Sequence, residues 1–406
     1  MRSIMKKATT GAGLVAAILG SIALAASLSA CDNNYPIYGS IQLEKPGSTQ
    51  GPFYKTTVGK VVLFKSAYYA QRATLISSTD GTTWGGSSHT PIAITGLGTS
   101  YFCTGLAATS TALWAVIDGV GLYSSGDGTN WTQVIADPTT SQTSSPMIDN
   151  VFTANDMVFV EYHNENNTTA SSADDIYTLK ASSDGTTFNP VTFASGGAQN
   201  STMPFAGVAY ADGSYWIIAK DGLYSAVSAS GSFAQVVATS TTEIGAPPTG
   251  AAIDSILAWD STTLYAGTDA GVVYKRTTGG TWTNGSSLTD AVTALGKAPV
   301  SSTVSSTGWV LLAGYGANAT ITGGSGYAQV DPTTLATTSG DSSAVASNAT
   351  NYDTTLSGKP VEAFLYDATG QRLFAATASA GISGASGLWT TTWDGTSTWS
   401  GWSPIN

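Results

Sequence analysis

Few residues of this chain could do chemistry, and their types limit what that chemistry could be. Across 406 residues there are two histidines, His89 and His163, too few for a histidine-rich zinc site. Glu161, His163 and Glu165 alternate, so on a strand they would share one face and could ligate a metal. An exposed loop edge is the simpler reading of the same spacing. Asp174-Asp175 and the acidic surplus could hold Ca²⁺, yet no loop has the ligand spacing of a known calcium site. No nucleophile-elbow motif accompanies the serines, and no glycine-rich phosphate cradle opens a helix. These observations assign no catalytic residue, no metal and no cofactor.

The aspartates are more informative by their spacing. Ser78-Thr79-Asp80-Gly81-Thr82-Thr83-Trp84, Ser125-Gly126-Asp127-Gly128-Thr129-Asn130-Trp131 and Ser182-Ser183-Asp184-Gly185-Thr186-Thr187-Phe188 all read Ser-x-Asp-Gly-x-x-aromatic. Ser and Asp side chains bond to nearby backbone amides and fix a turn. Glycine permits the positive φ such a turn requires. The aromatic residue then opens an outer strand and can pack against neighbours. Looser copies are Ser228–Phe233, Thr277–Trp282 and Thr392–Trp399.

The elements that position these turns repeat with them. The aromatic positions 84, 131, 188, 233 and 282 are 47, 57, 45 and 49 residues apart, and the step of 117 to Trp399 leaves room for one more unit around Gly324–Tyr327. Seven units with a period in the forties and strand-like content predict a propeller. Within one unit, Ile253–Trp259, Thr263–Thr268, Gly271–Arg276 and a run opening at Thr281 read as four strands. No stretch after the N-terminal segment has a helical period. Two stretches interrupt the period, Asn164–Ser172 and Asp331–Lys359, and both are expected to be surface loops. The expected fold is therefore all-β, a seven-bladed β-propeller of four-stranded antiparallel blades over residues 55–406.

The Ser-x-Asp-Gly-x-x-Trp segments resemble the Asp-box of bacterial neuraminidase repeats, which joins the third and fourth strands of blades in sialidases and related propellers. The usual form has one more residue between Asp and Gly than the copies here. The resemblance covers about residues 55 to 402 and implies a structural role for Ser78, Asp80, Gly81, Trp84, Ser125, Asp127, Gly128, Trp131, Ser182, Asp184, Gly185 and Phe188. Sialidase activity would further need an arginine cluster and a Phe/Tyr-Arg-Ile-Pro motif. The motif is absent. Arg72, Arg276 and Arg372 are the only arginines after the N-terminal segment; the first two are expected at third-strand positions and the last at the start of a second strand. None belongs to the inner strands.

The N-terminus carries an address. Arg2, Lys6 and Lys7 precede an apolar run from about Gly13 to Leu28 and then Leu28-Ser29-Ala30-Cys31. A basic head, a short apolar middle and small residues before the cut describe a secretory signal. The run is shorter than the ~20 residues a spanning helix needs. Leu-Ser-Ala-Cys resembles the lipobox of bacterial lipoproteins, which implies cleavage after residue 30 and lipidation of Cys31. The expected organisation is a signal peptide at 1–30, a lipidated cysteine and tether at 31–54, and then the propeller. Tyr35–Leu43 could add a strand. Cys103 would then have no intramolecular partner.

Removing Arg2, Lys6 and Lys7 leaves 12 basic against 26 acidic residues, a net charge of −14. That excludes binding of nucleic acid or anionic lipid through a basic surface. The expectation is a monomeric, noncatalytic binding or scaffolding module for a protein or glycan, held on the membrane through Cys31 in the bacterial cell envelope and facing out of the cytoplasm. The alternative is a glycan-acting hydrolase, which would need paired carboxylates in the central funnel. Tyr101, Phe102, Phe152, Phe205, Tyr210, Trp259, Phe364 and Tyr366 fall on or beside expected inner strands. Most should pack between blades, while one or two at strand ends could line a pocket suited to sugars or peptides.

Overall fold

Short runs rich in Val, Ile, Tyr and Trp, each stopped by Gly, Asp or Asn, fold into seven separate sheets. A computed structural model describes residues 52–53, 56–138, 146–164, 175–194, 204–219, 222–236, 252–280, 282–288, 291–315, 326–337, 356, 359–378 and 387–405. Cys31 and its signal, Tyr35–Leu43, Glu165, Asp174 and most of Asp331–Lys359 lie outside them.

Blade 1 is β1 (Lys60–Phe64), β2 (Ala67–Gln71) and β3 (Leu75–Ser78). Blade 2 is β4 (Cys103–Ala108), β5 (Leu113–Ile117), β6 (Gly121–Ser125) and β7 (Thr132–Ala136). Blade 3 is β8 (Met147–Ala154), β9 (Met157–Asn164), β10 (Ile176–Ser182) and β11 (Asn189–Pro190). β12 (Thr192–Phe193) then crosses to blade 4, whose own strands are β13 (Gly207–Ala211), β14 (Ser214–Ala219), β15 (Gly222–Ala226) and β16 (Ser232–Gln235). Blade 5 is β17 (Ile253–Ala258), β18 (Leu264–Thr268), β19 (Val272–Arg276) and β20 (Trp282–Ser287). Blade 6 is β21 (Val292–Pro299), β22 (Trp309–Tyr315) and β23 (Tyr327–Val330). Blade 7 is β24 (Val361–Asp367), β25 (Arg372–Thr377), β26 (Leu388–Thr392) and β27 (Ser403–Pro404). The chain is a seven-bladed β-propeller, with a single 3₁₀ turn at Gly86–Ser88 among the described residues.

The expectation of four strands in every blade needs correction. Blades 1 and 6 show three among the described residues, and blade 4 has five. In blade 1 the chain after Trp84 bonds to the outer edge of β3 only twice, Gly85 N to Ser77 O and Ile92 N to Leu75 O. The glycine pair Gly85-Gly86, both at φ +66, turns the chain away between these two bonds. In blade 4, β12 pairs in parallel with β16 and covers an edge that would otherwise be bare.

The sixth unit is also placed differently. Tyr327 opens a third strand rather than following the turn. The turn comes next, inside the segment expected to be a loop: the backbone N–H groups of Thr333 and Thr334 both donate to Asp331 Oδ1 at 2.8 Å, and buried Leu335 takes the place of the aromatic residue.

The innermost strands share a feature that bare periodicity hides. In β4, β8, β17, β21 and β24 the register slips at Thr104, Asp149, Asp254, Thr293 and Glu362. Blades 1 and 4 repeat it: Gly59 and Lys60 both face Gln71, and Ala206 and Gly207 both face Ile218. Each blade thus carries a bulge at one height, which bends the inner strand and tightens its twist. The blades are joined near the bulges. Gln71 Nε2 donates to the carbonyls of Cys103 and Thr104 (3.2 and 2.7 Å), Ser255 Oγ to that of Val292 (2.7 Å) and Thr293 Oγ1 to that of Val361 (3.1 Å).

Ring closure joins blade 7 to blade 1. Val58 N donates to Thr377 O, Gly387 N to Phe53 O, and Tyr68 Oη to Asp367 Oδ2. Phe53, in the segment read as tether, is fully buried with its ring edge-on to Trp84 at 5.1 Å.

Candidate functional site

The three Ser-x-Asp-Gly turns are built alike. Ser78 Oγ donates to Asp80 Oδ1 at 2.9 Å and accepts from Gly81 N at 2.8 Å, while Asp80 Oδ1 accepts from Thr82 N and Thr83 N. Ser125, Asp127 and Gly128 repeat this with Thr129 and Asn130, and Ser182, Asp184 and Gly185 with Thr186 and Thr187. Accepting two backbone N–H groups and a hydroxyl holds each carboxyl far below the ordinary Asp value. Asp394 collects Thr396 N, Ser397 N and Thr398 N in the same way in blade 7.

Each turn also touches the blade before it. Gly81, Gly128 and Gly185 have φ of +70°, +80° and +70°. A Cβ on them would meet Phe374, Tyr69 and Trp114, each on the second strand of the preceding blade. The aromatic residues follow the same rule: Trp84 meets Phe374 edge-on at 6.0 Å, Phe188 meets Trp114 at 6.5 Å and Trp282 meets Trp216 at 5.9 Å. Trp84 and Trp131 are 1% and 3% exposed. These aspartates therefore sit in turns between blades, separate from one another, and do not converge.

The arginines do not converge either. Arg72 follows β2 instead of lying on a third strand, because β3 begins only at Leu75; its Nη1 donates to Pro52 O. Arg276 ends β19, pairs with Asp212 of blade 4 and lies over Trp216 at 4.9 Å. Arg372 opens β25 beside Gly81.

Glu161 corrects another expectation. It is 2% exposed, not at a loop edge, and its Oε2 accepts from Phe205 N at 2.6 Å. Burial pushes its carboxyl up to about 8. His163 is held between Asp149 (3.2 Å) and Asp175 (3.4 Å) and stacks on Tyr177 at 4.5 Å. Among the described residues no three His, Cys, Asp or Glu side chains are arranged to hold a metal ion. Cys103 is a buried free thiol, pushed up to about 12 by burial.

All seven innermost strands, or residues beside them, line one central cavity of about 430 Å³. That volume suits a small ligand. Its walls mix polar groups, Thr153, Ser255 and Thr293 among them, with apolar side chains such as Leu106, Phe152 and Ile256. Three ionisable side chains share it: Lys60 from blade 1, Asp254 from blade 5 and Glu362 from blade 7. Burial pushes Asp254 up to about 6, with the Asp269 charge adding to the effect, and raises Glu362. Burial lowers Lys60, opposed by the Glu161 charge. The Lys60 ammonium lies 5.1 Å from the centre of the Phe152 ring. Among the described residues none of the three makes a hydrogen bond or ion pair. No local signal marks this grouping, because the residues are some 300 positions apart at the extremes and only the common bulge brings them to one height.

The expected ligand-facing aromatics divide accordingly. Phe152 and Phe364 line the cavity. Trp259 and Tyr366 instead join an edge-to-face chain with Trp309 and Trp399 across blades 5 to 7, with Lys297 over Trp259 and Trp309. Tyr101 and Phe102 precede β4, and Phe102 is 54% exposed. Phe205 is buried just before β13 and Tyr210 stacks obliquely on Tyr215.

No family model matches the chain, and no curated protein does. Among solved structures it is similar to an ancestral GH74 enzyme, with a TM-score of 0.58 and 12% identity over 87% of this chain and 47% of that one. It is similar also to the extracellular domain of BT4673 from B. thetaiotaomicron, with a TM-score of 0.50 and 12% identity over 82% of this chain and 38% of that one. The chain spans less than half the length of either. At this identity the likeness is one of fold, the β-propeller.

Proposed function

We propose that this protein is a lipid-anchored, extracytoplasmic binding module. Cys31 holds it to a membrane of the cell envelope, and the propeller binds a protein or glycan without catalysis. The observation that carries the reading is the central cavity, where the side chains of Lys60, Asp254 and Glu362 make no hydrogen bond or ion pair among the described residues. Unpaired charge of both signs in one cavity favours a ligand that completes it with charge-assisted hydrogen bonds. The three arginines support noncatalytic binding, since each lies on or beside a different blade and they do not converge. A glycan array and a crosslinking pull-down with the full chain in detergent test this reading. Saturable binding that is lost on changing cavity residues supports it, and the absence of any bound protein or glycan contradicts it. The anchor has its own test. Cys31→Ser should release the protein from membranes or block processing, and a processed, membrane-bound mutant would sink the lipoprotein assignment.

One observation favours a second reading. Two carboxyls in one cavity, with Asp254 pushed up by burial, resemble the acid component of a glycoside hydrolase. Release of reducing sugar from glycans, abolished by Asp254→Asn or Glu362→Gln, would select the hydrolase.

A further inference from the structure

We propose that the central cavity takes a small zwitterion, an amino acid or dipeptide with free ends, its carboxylate on Lys60 and its ammonium on Asp254 and Glu362. The inference rests on the propeller being a noncatalytic binding module, and it assigns the central cavity a ligand smaller than the protein or glycan proposed for the propeller as a whole. Symmetry carries the first step. At the second bulge position the other six blades have Gly105, Asn150, Gly207, Ser255, Ala294 and Ala363. All are uncharged and shorter than lysine, so closing the ring does not call for a long cation there. Only blade 1 has one. Its ammonium makes no hydrogen bond or ion pair among the described residues, and its burial lowers its affinity for a proton. A fold that needed only packing would do better with an apolar side chain of similar size.

The ligand's charge pattern follows from the other two groups. Asp254 and Glu362 are first bulge residues of blades 5 and 7, equivalent to Gly59 and Ala206 in blades 1 and 4. Neither carboxyl has a donor among the described residues. A simple anion would pair with Lys60 but face two carboxylates. A simple cation would pair with the carboxylates but face Lys60. A neutral sugar would leave all three without an opposite charge. A molecule carrying both an ammonium and a carboxylate satisfies both signs at once, and charge-assisted hydrogen bonds are the stronger kind. The cavity volume of about 430 Å³ accommodates one or two residues and excludes a folded protein.

The test is calorimetric titration of the full chain in detergent with glycyl-leucine, its N-acetyl form and its C-terminal amide. Free glycyl-leucine should bind about tenfold or more tighter than either capped form, as expected when a capped ligand leaves a charged group of the site unpaired. In Lys60→Met the preference for acid over amide should vanish, while Lys60→Arg should keep it. In Asp254→Asn/Glu362→Gln the preference for amine over acetyl should vanish. Melting curves of each variant establish that it is folded. Equal affinity for the three forms, or no binding of glycyl-leucine, overturns the inference. If a glycan or protein still binds in that case, the binding-module reading stands alone; if nothing binds, both fall.

Discussion

The smallest unit of this architecture is one aspartate collecting two backbone N–H groups. Asp127 does so while Gly128 beside it turns at φ +80° and presses on Tyr69 of the preceding blade. Turn and inter-blade contact are therefore one object. Asp127→Ala should lower the melting temperature and leave ligand binding per folded molecule unchanged. Trp131→Ala should cost more, about 3–5 kcal/mol, because a buried ring is lost along with the cavity it fills. Paired melting and binding curves on the two mutants check both. The acid limb has a definite sign. Asp127 is depressed in the folded state, so its contribution is present above the unfolded value of 3.8 and is lost as pH falls through the folded value. The melting deficit of Asp127→Ala should accordingly be constant above about pH 5 and shrink in stronger acid.

At the scale of elements, turns and strands were legible and bulges were not. Ile253, Leu264, Val272 and Trp282 begin strands within a residue or so of where sequence places them, because β-branched runs and Gly or Asp stops are local signals. A bulge is a relation between two strands, so no local signal marks Asp254 or Glu362. The Asp331 turn was missed for another reason: Leu335 stands where other blades have an aromatic residue, and the shared Asp-x-Thr-Thr-apolar spacing of Asp184–Phe188 and Asp331–Leu335 would have shown it. Glu161 was misread as exposed because alternation gives a face but not what covers it. Here the start of blade 4 covers it through Phe205 N. The folded state raises its carboxyl from 4.5 to about 8, so its contribution is full below 4.5 and is lost as pH rises through 8. Glu161→Gln keeps an acceptor for Phe205 N and removes that loss. It should melt like the wild type near pH 4 and above it at about pH 9.

At the scale of the molecule, ring closure is a matter of blade 7 meeting blade 1, with each blade drawn mainly from one continuous stretch of chain. Truncation after Lys359 removes β24 to β27 and exposes Phe53, Tyr68 and Trp84, which pack with Phe374 and Leu388. The shortened protein should aggregate or lose cooperative melting, and a well-folded monomer by sedimentation would contradict the closed ring. The central claim divides the charged residues by role: those in the turns hold blades together, and those in the cavity serve a ligand at a cost to stability. Melting temperature, measured without ligand, tests this division most directly. Asp127→Ala is predicted to melt lower than wild type, whereas Lys60→Met, which exchanges a half-buried ammonium without a hydrogen bond or ion pair for an apolar side chain, is predicted to melt as high or higher. If Lys60→Met melts as low as Asp127→Ala, Lys60 is part of the scaffold and the cavity loses its claim to be the site.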